Sequence, residues 1–113
     1  MLRDQFGKPY TATNPVPVSS GSGSAATGTQ TSVAASASDV TILAANENRK
    51  GAAIYNDSSA VLYLLLASGT SSTTNHTVQV AGGWLYEVPF GYTGVIKGIW
   101  ASATGSARVT EFT

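Results

Sequence analysis

"DVTILAANENRKGAAIYNDSSAVLYLLLA" runs from Asp39 to Ala67, and its reading decides the fold. In "DVTILAA", Val40 and Ile42 alternate with Thr41 and Leu43. A two-residue period places successive side chains on opposite faces of an extended chain. "NENRKG" is polar and turn-forming, and "GAAIYND" resumes the extended pattern. "AVLYLLLA" is apolar on both faces, which predicts a central strand, or one whose outer face meets a partner. That run is far shorter than the roughly 20 residues a membrane helix needs.

The same alternation continues toward the carboxyl end. "SGTSSTTN" is a long polar loop. "HTVQVAGG" predicts Val78 and Val80 facing inward, and "WLYEVP" predicts Trp84, Tyr86 and Val88 on one face. "FGYTG" is a turn, with Pro89 ending one strand and Gly91 and Gly94 permitting the reversal. "GVIKGIWAS" follows, then the turn "ATGS" and a last strand in "ARVTEFT". Seven short strands at roughly ten-residue spacing predict an all-β protein, an antiparallel β-sandwich or barrel. Trp84, Tyr86 and Val88 are expected in its core, opposite Ile96 and either Trp100 or Ile99. Phe90 and Tyr92 sit in the turn, are not explained by that core, and are expected to contact a partner.

Composition changes sharply before Asp39. Residues 19–38, "SSGSGSAATGTQTSVAASAS", hold a single Val among small and polar residues. Such a stretch buries little apolar surface against an ordering cost of about 1–2 kcal/mol per residue, and it is expected to be a flexible linker. Residues 1–18 precede it. Pro9, Pro15 and Pro17 impose extended or turn geometry and exclude a helix. Phe6, Tyr10, Val16 and Val18 are apolar with no local core to enter. A plain tail fits that composition. An extended docking arm fits it better, because a tail needs no anchors. The arm reading assigns partner contacts to Phe6, Pro9, Tyr10, Pro15, Val16, Pro17 and Val18. The expected organisation is thus an arm at 1–18, a linker at 19–38 and a sandwich domain at 39–113.

Charge narrows the function classes. Charged residues make up 11% of the chain and the formal net charge is zero, against about 25% charged in an ordinary soluble domain. Backbone binding to nucleic acid needs a surplus of Lys and Arg, so no nucleic-acid partner is expected. A weakly charged surface suits an assembly better than a concentrated monomer. A β domain this small, without disulfide or metal, is expected to rely on homo-oligomerisation or a partner. The chain has no cysteine, which excludes a disulfide framework and thiol chemistry. "MLRDQFGKPY" carries charges and no apolar h-region, so a non-secreted, non-membrane product is expected.

The search for chemistry ends without a site. His76 is the only histidine and lies in a polar loop without a neighbouring carboxylate, so a solvated loop residue is expected. No G-x-S-x-G elbow occurs, and "GSGSAATG" lacks the Lys-Ser/Thr ending and preceding strand of a phosphate loop. Glu87, on an apolar strand, is expected to form a structural or interface ion pair, with Arg49, Lys97 or Arg108 as candidate partners, rather than to act as an acid or base. Tyr63, Trp84, Tyr86, Phe90, Tyr92 and Trp100 could form a sugar-stacking platform, but their Gly, Val, Ile and Leu surroundings favour packing. No catalytic residue, cofactor or metal is expected, and the chain reads as a non-enzyme.

"ILAANENRKGAAIYNDSSAVLYL" and "YEVPFGYTGVIKGIWASATGSARVTEF" together resemble a group of small virion proteins of tailed bacteriophages. The amino end resembles theirs through Asp4, Gly7, Pro9, Tyr10, Asn14, Pro15, Pro17 and Val18. The resemblance spans the arm and nearly all of the β domain, but not the linker. It implies a decoration or cement protein on the capsid exterior, made in the bacterial cytoplasm, with the major capsid protein or other virion proteins as partners. Capsid cement proteins often have a jelly-roll or related sandwich and bind as dimers or trimers. The resemblance also admits a small head–tail, tail, baseplate or head-fibre-anchoring component. A carbohydrate-binding module for host attachment is the alternative from another class.

Overall fold

The computed structural model describes residues 24–113. The arm positions Phe6, Pro9, Tyr10, Pro15, Val16, Pro17 and Val18 lie outside them. The described chain is all-β. Its strands are β1 (Gly28–Ala34), β2 (Val40–Leu43), β3 (Gly51–Asp57), β4 (Leu62–Leu65), β5 (Val78–Val80), β6 (Leu85–Val88), β7 (Ile96–Trp100) and β8 (Ser106–Phe112). They form two antiparallel four-stranded sheets, sheet I in the order β1-β8-β3-β6 and sheet II in the order β2-β7-β4-β5. Four nested pairs, β1/β8, β2/β7, β3/β6 and β4/β5, fold one long hairpin over itself. This is the eight-stranded jelly roll.

Alternation places the core between the sheets. Ile54 and Val109 from sheet I meet Leu62, Leu64, Ile96 and Trp100 from sheet II, each at most 1% exposed. β4 lies inside sheet II between β7 and β5, as its two-sided apolar pattern predicts. Trp100, rather than Ile99, fills the interior. Its Nε1–H donates to Asn56 Oδ1 (3.1 Å) across the sandwich, since a buried indole N–H left without a partner is costly. Gly98 on β7 leaves room for side chains of the two strands that flank it in sheet II. A Cβ there would sit 2.7 Å from Ile42 Cγ1 and 3.1 Å from Leu62 Cδ1.

The eighth strand corrects the expected linker. Residues 28–34 of that segment form β1, paired along its whole length with β8 from Gly28↔Phe112 to Ala34↔Ser106. Only Val33 in β1 is even half-buried. Ladder hydrogen bonds come from the backbone, so an edge offered by β8 orders a Thr-rich segment that has almost no core face. The Thr113 N–H then donates to the Thr27 carbonyl (2.8 Å), so the start of β1 and the end of β8 share one corner.

Candidate functional site

Two buried polar groups hold the molecule's loops. The Asn56 amide donates to the carbonyls of Ala60 and Val80 (2.8 Å each), and its Oδ1 accepts from Ser58 Oγ and Trp100 Nε1. Every hydrogen-bonding site of that side chain is thereby used. Arg49 is 2% exposed. Its Nε donates to Glu111 (2.8 Å), Nη1 to the carbonyls of Tyr92 and Gly94, and Nη2 to the carbonyl of Ala44. One guanidinium therefore ties the β2–β3 loop and the β6–β7 turn to β8. A buried arginine is tolerable when its fork is filled in this way.

These clamps fix the outer face of sheet I, where the large apolar side chains collect. Outward positions on β3 are Gly51, Ala53 and Tyr55, and the register sets Leu85 opposite Tyr55 and Glu87 opposite Ala53. On β8 the alternation sends Arg108, Thr110 and Phe112 outward. Leu85 is 59% exposed and Phe90, just past β6, 61%. Tyr55 and Phe112 are also exposed, as is Trp84, just before β6. Each of the exposed large apolar side chains among the described residues thus lies on sheet I or flanks its edge strand β6. Scattered exposed apolar residues need no explanation, but a contiguous set on one face marks an interaction surface.

A groove of about 470 Å³ opens on this face. Gly51, Ala52 and Ala53 form its floor, with Phe112 on one side and Val88, Pro89 and Phe90 on the other. The Phe112 ring lies between two glycines. A Cβ on Gly28 would meet it at 3.5 Å and one on Gly51 at 3.9 Å. Small residues on the neighbouring strands therefore leave the ring standing above a flat floor. Glu87 lines the groove as well. The three ion pairs among the described residues are Arg49–Glu111, Lys97–Asp39 and Arg108–Asp57. Within the described residues, each of the three cations considered for Glu87 is paired with another carboxylate, and Glu87 has no ion-pair partner there.

The outer face of sheet II is closed instead. The loop after β4 folds back across it: the Tyr63 and His76 rings lie 4.9 Å apart. The Leu66 N–H donates to Thr77 Oγ1 and the Thr77 N–H to the Leu64 carbonyl. Ser71, 1% exposed, donates to Asp39 Oδ1 through both its N–H and its hydroxyl. Lys97 Nζ lies 3.1 Å from Asp39 Oδ2. Burial alone would raise the Asp39 carboxyl, but the Ser71 hydrogen bonds and the Lys97 charge outweigh it and hold the group below its ordinary value of 3.8. On the inner side of β6, burial pushes the Tyr86 hydroxyl upward and keeps it neutral.

The expected site residues separate accordingly. Phe90 is exposed and lines the groove. Tyr92 is half-buried against the core, and its hydroxyl donates to the Val95 carbonyl (2.7 Å) across Gly94. That bond secures the turn, and the rest of the ring is only partly exposed. Trp84 was expected in the core with Tyr86 and Val88. It instead belongs to the turn before β6, its N–H donating to the Ala81 carbonyl, and is 66% exposed. The aromatic platform is not assembled: Trp100 is interior and Tyr63 faces the opposite side of the sandwich. His76 Nδ1 lies 3.1 Å from the Ser72 carbonyl. No group of three or more metal-ligating side chains occurs among the described residues. Phe112, Tyr55 and Leu85 are the additional surface residues. Alternation in "ARVTEFT" carries the signal for Phe112, because inward Ala107 and Val109 force it outward. Comparison with models of protein families, with curated proteins and with solved structures found no match.

Proposed function

We propose that this chain is a non-enzymatic structural protein of a tailed-bacteriophage virion, a decoration or cement protein that reinforces the capsid. The observation that carries this reading is the open apolar face of sheet I around Leu85, Phe90 and Phe112 on a weakly charged molecule. A face of that kind suits a lasting protein contact better than a transient catalytic one. The resemblance of the arm and the β domain to phage virion proteins supports it. The jelly roll supports it only by analogy, since this architecture also serves lectins and enzymes. In this reading the arm and the sheet I face engage virion proteins together, so several weak contacts give strong attachment.

The test is the copy number of the protein in purified particles of the phage that encodes it, by quantitative mass spectrometry. A cement protein is present at a number set by capsid symmetry. Absence from particles ends the proposal. A few copies per particle would transfer the protein to the head–tail or tail machinery.

A further inference from the structure

The groove beside Phe112 has an occupant within reach. Residues 24–113 carry four Lys and Arg against five Asp and Glu, and residues 1–23 carry Arg3 and Lys8 against Asp4. The acidic excess on the described domain includes Glu87, which makes no ion pair there and lines the groove. The basic excess lies in the segment that holds "FGKPY", Phe6 to Tyr10. A proline restricts its own φ and that of the residue before it to extended values. Aromatic-lined grooves take up extended proline-containing segments, and an acidic residue at the rim favours a segment that carries a cation. "FGKPY" sets the cation Lys8 beside Pro9, with the apolar Phe6 and Tyr10 on either side in sequence.

We propose that the groove formed by Gly51, Ala53, Glu87, Phe90 and Phe112 binds residues 6–10 of the same chain, with Lys8 paired to Glu87. The path is short. Gly28 starts β1 directly beside Phe112, and Gly51 lies beyond Phe112 in the same row. Two strand spacings, about 10 Å, separate Gly28 from the groove floor. The residues between Tyr10 and Gly28 span up to about 55 Å when extended. A tethered segment meets its site at roughly millimolar effective concentration, which favours the same chain over a second copy in dilute solution. This contact concerns the free chain and does not rest on the proposed virion role: attachment to a particle would exchange it for contacts to virion proteins.

The experiment exploits the lack of cysteine. Thr11→Cys in the full chain gives one attachment point for a nitroxide, and the readout is broadening of backbone amide signals in ¹⁵N-labelled protein. The expected result is loss of the Gly51, Ala53, Glu87 and Phe112 signals, with those of Tyr63, Gln79 and Ile99 on the opposite face retained. Glu87→Lys should restore the lost signals, and Lys8→Glu in that background should remove them again. Unbroadened groove signals, or broadening centred elsewhere, overturn the proposal. Groove broadening in a mixture of labelled untagged and unlabelled tagged protein would assign the site to a second copy, and overturns it equally.

Discussion

The two outer faces of the sandwich were built from similar strands and finished differently. On sheet II, Tyr63 is covered by His76, and Asp39, Ser71 and Lys97 close the rest with hydrogen bonds and an ion pair. On sheet I, Tyr55, Leu85 and Phe112 have no such cover from the described residues, and the adjoining Glu87 has no ion-pair partner among them. The chain therefore has the means to cover an apolar face locally and uses them on one side only. A face left apolar beside one that is sealed points to a partner rather than to poor packing.

The harshest way to break the comparison is to remove what both faces rest on. Trp100→Ala deletes the largest buried side chain and removes one of the two donors to Asn56 Oδ1, at an expected cost of about 3–5 kcal/mol. Urea unfolding followed by tyrosine fluorescence and by far-ultraviolet dichroism should shift together. Separate transitions would mean that the sheets fold independently. Ser71→Ala opens only the sealed side. Losing a buried hydroxyl donor to a carboxylate should cost about 1–3 kcal/mol, with faster amide exchange in residues 66–77 and unchanged exchange in β3 and β8. Equal acceleration on sheet I would erase the distinction between the faces.

Acid gives a gentler probe. The Asp39 carboxyl is depressed in the folded state, so its contribution is fully present above its unfolded value. It is lost as pH falls through the lower folded one. Stability measured across the range below about pH 4 should fall, and Asp39→Asn should flatten that part of the profile. The smallest expected change in stability comes from the open face. Leu85→Lys should alter unfolding free energy by no more than about 0.5 kcal/mol, and under the proposed virion role it should weaken attachment to particles. A large loss of stability would show that Leu85 is a packing residue.

Seven of the eight strands are legible as alternation, because each presents an apolar face to a shared core. β1 is not, since it has a partner strand but almost no buried side chain, and composition registers only the latter. Trp84 illustrates the complementary failure. The period of "WLYEVP" extends one residue past the strand, and the hydrogen bond from Trp84 to Ala81 turns the residue out of phase. Phe90 was legible as a surface residue because a core did not explain it. Tyr92 shared that argument, but the partial burial of its ring against the core is tertiary information that the turn's composition does not carry. The unpaired state of Glu87 depends on which carboxylates capture Arg49, Lys97 and Arg108, and no local pattern states that.

The nested pairing also orders events in time. Leu64 pairs with Val78, Ile54 with Tyr86, Thr41 with Lys97 and Gly28 with Phe112, so each pair closes a longer loop than the one before. Loop closure grows costlier with length, by about 0.6 kcal/mol per doubling, and β1 offers the least burial in return. Folding should therefore zip outward from the β4–β5 tip, with β1 joining last and detaching first. The outermost strand then acts as a hinge of low local stability, able to peel from β8 and carry everything upstream of it to a new position while the remaining seven strands stay closed.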